Sequence, residues 1–104
     1  MLNESNDRFI DPIITQEASN LSLSSTNTGA FRAQVRMAHK AGNIGSSYQS
    51  IGGWIELPIN GGVDTREYVY GFFVDNASTN TLPGINTVAR ELLRNVIRSA
   101  LETW

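Results

Sequence analysis

Arg32, Gln34, Arg36 and Lys40 fall on one parity of the run 31–40, so in a strand they share a face. Cations repeated in this way either meet solvent or neutralise phosphates. Arg66, Tyr68 and Tyr70 likewise fall on one parity of the run 65–74, where aromatic side chains suit a pleated, half-covered surface whatever they touch. His39 is the only histidine and lies on the opposite parity, with Phe31, Ala33, Val35 and Met37. That parity marks it as a packed, hydrogen-bonded residue rather than a ligand or base. No serine or carboxylate stands at a spacing that suggests a triad, and no glycine-rich phosphate loop or zinc-type spacing occurs. With no cysteine, thiolate, disulfide and cysteine–metal chemistry are excluded. Ten acidic residues are scattered along the chain, and nothing singles out a pair for glycoside chemistry. The chain reads as a protein that is not an enzyme and needs no metal or cofactor.

These residues must be positioned by strands. Alternation over Phe31–Lys40 predicts a first clear strand. Ala41–Ser47 reads as a glycine-punctuated turn, and Tyr48–Ile59 as a second strand, kinked or bulged near Gly52-Gly53. The register of that bulge decides whether Gln49, Trp54 or Glu56 joins the cationic face, because a one-residue slip exchanges the faces. On that face Glu56 is placed to accept from a base amino group or to pair with Arg66. Asn60–Asp64 is a second turn, and Thr65–Val74 a third strand, closing an antiparallel meander. The N-terminal segment 1–30 is rich in Ser, Asn and Thr, with apolar clusters at Phe9-Ile10, Pro12-Ile13-Ile14 and Leu21-Leu23. It reads as a hairpin of two short edge strands, Pro12 holding the first to an edge.

After a polar connector at Asp75–Thr81 full of capping residue types, with Pro83 in the first turn, one amphipathic helix is predicted over 82–104. Its apolar stripe comprises Ile85, Val88, Ala89, Leu92, Leu93, Val96, Ile97, Ala100, Leu101 and Trp104. Arg90, Arg94 and Arg98 line the other face, with Glu91 and Glu102 at pairing distances, which is the pattern of a solvated face. A helix of roughly 20 residues is about 30 Å long, more than one small sheet covers. A second subunit would cover the remainder. Strands first and helix last define an α+β class with the helix on one sheet face.

Composition sets the outer bounds. The 104 residues amount to one domain, and a formal charge of −2 argues against a free-standing binder with a strongly basic surface. Charged residues are sparse at 17%, in keeping with a chain that spends surface on contacts. No apolar run has the length of a membrane span, and the first residues lack the basic and apolar regions of a signal peptide, so the expectation is a soluble, unexported protein.

The layout of strands and final helix, together with the runs Phe31–Gly42, Tyr48 with Trp54–Ile59, and Arg66–Val74, resembles the coat proteins of single-stranded RNA bacteriophages, the leviviruses, over 31–104. The resemblance implies an N-terminal hairpin, an antiparallel meander and a C-terminal helix laid across the partner's sheet in an interlocked homodimer. It implies dimers built into an icosahedral shell around viral genomic RNA, and a life in the virion and, during assembly, the host cytoplasm. In that family the sheet face opposite the helices binds an RNA hairpin. Carried onto this chain, the RNA-binding set is Arg32, Gln34, Arg36, Lys40, Arg66, Tyr68 and Tyr70, with Tyr68 matching the family's base-stacking tyrosine. The dimer interface is Val88, Leu92, Leu93, Val96, Ile97 and Leu101. The chain departs from the family in its abbreviated turn at Asn60–Asp64 and its single helix in place of a pair. The alternative is a small dimeric RNA-binding or regulatory module that never assembles a shell.

Overall fold

The computed structural model describes residues 4–44, 48–75 and 84–104. The element order is α1 (Glu4–Asn20), α2 (Ser25–Gln34), β1 (Arg36–Ile44), β2 (Tyr48–Ile59), a single 3-10 turn (Asn60–Gly62), β3 (Asp64–Asp75) and α3 (Ile85–Leu101). The α+β class and the antiparallel meander are as expected: β1 and β3 flank β2 in one three-stranded sheet.

The expected N-terminal hairpin is absent; helices stand in its place. Phe9, Ile10, Ile13, Ile14 and Ala18 are all buried, and their spacing is that of a helical stripe. Pro12 marks no strand edge. It sits inside α1, exposed, where the burial on either side of it outweighs the roughly 3 kcal/mol that an interior proline costs. The helix ends with Ser22 in the left-handed region (φ 56°), while Leu23 N–H donates to Ala18 O and Ser22 N–H to Ser19 O. Those two bonds satisfy carbonyls that the helix end would leave open.

The run 31–40 is likewise divided. Ser24 caps α2 by accepting from Asn27 N–H at 3.1 Å, and the helix continues through Gln34. Arg32 and Gln34 are therefore helical, and β1 begins only at Arg36. Alternation over ten residues was shared between a helix turn burying Phe31 and a strand burying Met37. Strand β1 also runs on through 41–44, which the glycine had marked as a turn; residues 45–47 lie outside the description, as do 76–83, and with them most of the polar connector and Pro83.

No bulge interrupts β2. Lys40 pairs with Gly52 and His39 with Gly53 in unbroken register, continued by Gly71 and Tyr70 of β3. The glycine at 53 is required by close approach: a Cβ there would lie 2.1 Å from Ala38 O and 2.8 Å from His39 Cα. At the other end of the strand, Asn60, Gly61 and Gly62 take φ of 54°, 70° and 92° to turn the chain into β3, a conformation that glycine adopts without a Cβ penalty.

All three helices pack on one side of the sheet or on one another, with α3 lying against both α1 and β2. Ile85, Ala89, Leu93, Ile97, Ala100 and Leu101 of α3 are buried against a core that includes Ile14, Phe31, Ile55 and Leu57. The C-terminal end is tied to the β2 corner. Trp104 Nε1–H donates to Pro58 O at 3.2 Å, and Thr103 Oγ1 accepts from Asn60 N–H at 2.8 Å. No helix of the described residues is long and apolar enough to cross a membrane.

Candidate nucleic-acid interface

Strand parity and register define two faces. The helix-side face carries Met37, Ile55 and Tyr68 in one row, His39, Gly53 and Tyr70 in the next, then Ala41, Ile51 and Phe72. The open face carries Arg36, Glu56 and Glu67, then Ala38, Trp54 and Val69, then Lys40, Gly52 and Gly71, then Gly42, Ser50 and Phe73. Val69 is 81% exposed, Phe73 66% and Trp54 40%. Rings and cations thus share a sheet face that none of the described helices covers.

The seven residues of the expected RNA-binding set do not come together. Arg36 and Lys40 are on the open face. Tyr68 and Tyr70 are on the other, and Tyr70, 7% exposed, belongs to the core, so its ring cannot receive a base in this arrangement. Arg66 shares their parity opposite Leu57, exposed at the end of the sheet. That parity also separates Arg66 from Glu56, whose cross-strand neighbours are Arg36 and Glu67. Arg32 belongs to the helical layer, where its guanidinium bonds Asp11 and, at 3.0 Å, Thr15 Oγ1. Gln34 is exposed beside the turn glycine Gly62 and donates to Ala30 O at 3.3 Å. What parity alone could not give was the relation between strands: the cationic parity of β1 pairs with the Val69 and Phe73 parity of β3, not with the tyrosines.

Of the three β2 candidates, Trp54 and Glu56 face the open side. Gln49 faces the helices, where its Oε1 accepts from Ile85 N–H at 3.4 Å and steadies the start of α3. Among the side chains the structure describes, Trp54 and Phe73 are open-face rings that the expected set lacked. Their strand parity was legible, but not which face the helices would leave bare.

The expected dimer interface is also largely consumed within the chain. Leu93, Ile97 and Leu101 are fully buried and Val96 packs against the core, because α1 supplies the second covering surface that the hairpin expectation had left out. Val88 and Leu92 remain exposed. The arginine face of α3 is partly solvated and partly engaged. Arg94 Nη1 lies 3.4 Å and Arg98 Nη1 3.7 Å from the buried Glu17 carboxylate, with Glu91 and Glu102 as their second partners. Arg90, one turn earlier, stands 4.9 Å over the Phe9 ring.

Among the described residues, the buried His39 Nδ1 and Tyr70 Oη on the helix-side face have no hydrogen-bond partner. Desolvation lowers the His39 pKa from its ordinary value and raises that of Tyr70, in each case favouring the neutral form. His39 is packed as its parity suggested, edge-on to Phe9 with ring centroids 4.5 Å apart, though its Nδ1 lacks the expected partner. Among the described residues no cluster of His, Asp and Glu could hold a metal ion.

No protein-family model matches the chain, and comparison with curated proteins and with solved structures finds no match.

Proposed function

We propose that the chain is a structural subunit that associates with copies of itself and holds single-stranded RNA against the open sheet face, the role of an RNA-phage coat protein. The observation that carries this reading is the composition of that face. Arg36 and Lys40 stand on the same side of β1, roughly 13 Å apart along the strand, where each can neutralise a phosphate of one RNA strand. Trp54 and Phe73 offer exposed rings, and Gly52 and Gly71, adjacent in register, leave open space between them. Aromatic platforms beside cations are the usual means of holding unpaired bases. Glu56 and Glu67 lie on β2 and β3 at one end of the face, which directs the phosphate track toward β1.

Self-association is supported by the edges of the sheet. β3 is 12 residues long and, among the described residues, has no neighbour on its outer side, and such an edge is a template for pairing with another strand. Pairing of two copies through β3 would make one six-stranded sheet with a continuous open face. In this reading α3 stays on its own sheet and Val88 and Leu92 are left for contacts between subunits.

A second reading rests on a specific departure: the N-terminal helices replace the hairpin that coat proteins carry. It is a small dimeric RNA-binding module that builds no shell. Electron microscopy of the protein expressed alone in bacteria, with an absorbance ratio for nucleic acid, separates the two. Closed shells carrying host RNA are the expected result, and dimers that stay small after RNA is added would replace the shell reading with the module.

A further inference from the structure

We propose that the cleft between the start of α3, α1 and the β1–β2 hairpin is a binding site for a phosphate monoester, its phosphate held between the Arg8 and Arg90 side chains. The cleft encloses about 450 Å³ and is lined by Arg8, Phe9, His39, Ala41, Asn86 and Arg90, with Ile51 at its floor. It lies on the helical side of the sheet, so it is distinct from the open face assigned to RNA and does not depend on that assignment.

Arg90 differs from the arginines that follow it on the same helix. Arg94 and Arg98 converge on Glu17, whereas Arg90 rests on the Phe9 ring and lines the cleft, with no carboxylate partner among the described residues. A neighbouring hollow of about 380 Å³ continues the groove past Arg8 and Arg90 to Arg94, extending the cationic wall. The His39 side chain forms part of the lining and holds a buried Nδ1 with no partner. Such an atom costs stability unless something bonds it.

Asn86 adds an amide donor from the first turn of a 17-residue helix, whose Gly84 cap has no side chain to offer its N–H groups. The helix dipole adds positive potential at that end. Two guanidiniums, an imidazole and an amide supply more donors than a carboxylate accepts and suit the three terminal oxygens of a phosphate monoester. The floor of Phe9, Ala41 and Ile51 is apolar, and the volume exceeds that of a bare phosphate. An ester's organic group would lie on that floor, which also lowers the local dielectric and strengthens the charged bonds.

The test is a titration of the full chain with phenyl phosphate at constant ionic strength, followed by NMR of the His39 ring and the Asn86 side-chain amide. Saturable shifts at both are expected. Arg90→Gln and Arg8→Gln should each weaken binding about tenfold, the loss of one charge-assisted hydrogen bond, whereas Arg98→Gln should leave it unchanged. Asn86→Asp, at an exposed position that keeps the fold, should weaken it as well by setting a negative charge in the cleft. Shifts that never saturate, shifts centred on Arg36 and Lys40, or equal affinity in Arg90→Gln and Arg98→Gln would overturn the site. A uridine oligonucleotide without terminal phosphates separates the sources: it should not displace phenyl phosphate from Arg36→Gln/Lys40→Gln protein. Displacement there would make the cleft a contact for the nucleic-acid backbone and refute the monoester assignment.

Discussion

Glu17 and Arg94 stand 77 residues apart in the chain, and the Glu17 carboxylate accepts from the Arg94 guanidinium at 3.4 Å. Glu17 is 3% exposed, and its Oε2 also accepts from Asn20 Nδ2–H at 3.0 Å. The pair joins α1 to α3 across the boundary between core and solvent. Both arginines that meet Glu17 reach water at their outer ends, so losing the carboxylate strands no buried cation.

Glu17→Ala is accordingly expected to destabilise the protein by about 1–2 kcal/mol, less than a fully buried pair would cost. Arg98→Ala should cost under about 1 kcal/mol. Urea unfolding followed by circular dichroism measures both; equal losses would mean that Glu17 contributes only a surface contact.

Adjacent leucines on α3 have opposite roles. Leu93 is buried and Leu92 exposed. Leu93→Asp should abolish folding, since it removes packing worth about 2–5 kcal/mol and buries a charge. Leu92→Asp should change monomer stability by less than about 1 kcal/mol and weaken association between copies if Val88 and Leu92 are subunit contacts. Thermal melts and analytical ultracentrifugation read the two effects separately.

Gly53 and Gly71, two of the glycines in the sheet, give a contrast of the same kind. A Cβ at Gly53 collides with the backbone of β1, whereas at Gly71 nothing lies within 4 Å. Gly53→Ala is expected to cost at least about 2 kcal/mol, in the range of overpacked sites, and Gly71→Ala about 0.5 kcal/mol or less. Comparison of their unfolding midpoints checks the unbroken register of β2.

His39 supplies a pH dependence whose sign can be worked out. Burial lowers its folded pKa below the ordinary 6.5, so below that value the unfolded chain binds more protons than the folded one. The contribution is fully present above 6.5 and is lost as pH falls from 6.5 through the lowered folded value. Unfolding midpoints of wild type and His39→Gln should therefore differ in slope across that window, the wild type losing more on acidification. Parallel curves would show that His39 does not titrate differently on folding.

For the RNA face, Arg36→Ala/Lys40→Ala is expected to reduce the slope of log affinity against log salt by about 1.4, two phosphates' worth for a single strand. Trp54→Ala should cost about 1–3 kcal/mol of binding. Tyr70→Phe, on the far side of the sheet, should leave affinity unchanged. Filter binding across a salt series measures all three, and a full effect of Tyr70 with none of Trp54 would move the RNA to the helix side.

The meander and the final helix were legible because each rests on a local period. Tyr48–Ile59 alternates along its length, and Ile85, Ala89, Leu93, Ile97 and Ala100 recur at helical steps. At the N-terminus two local signals compete: Pro12 points to a strand edge, whereas Phe9, Ile10, Ile13, Ile14 and Ala18 recur at helical spacing, and burial of that stripe decides for the helix. At Arg32 and Gln34 alternation extended too far, because a short helix and the start of a strand can share a few alternating positions.

By itself the sequence determined the class of the fold, the three strands' approximate places, the inward face of α3 and the absence of cysteine chemistry, since period and residue type act over neighbouring positions. Only the tertiary structure decided which sheet face the helices cover, that Tyr68 and Tyr70 turn away from Arg36 and Lys40, and that Glu17 gathers Arg94 and Arg98. Those relations depend on strand register and on the packing of segments far apart in the chain. A one-residue change in register would exchange the faces while leaving each segment's local pattern intact.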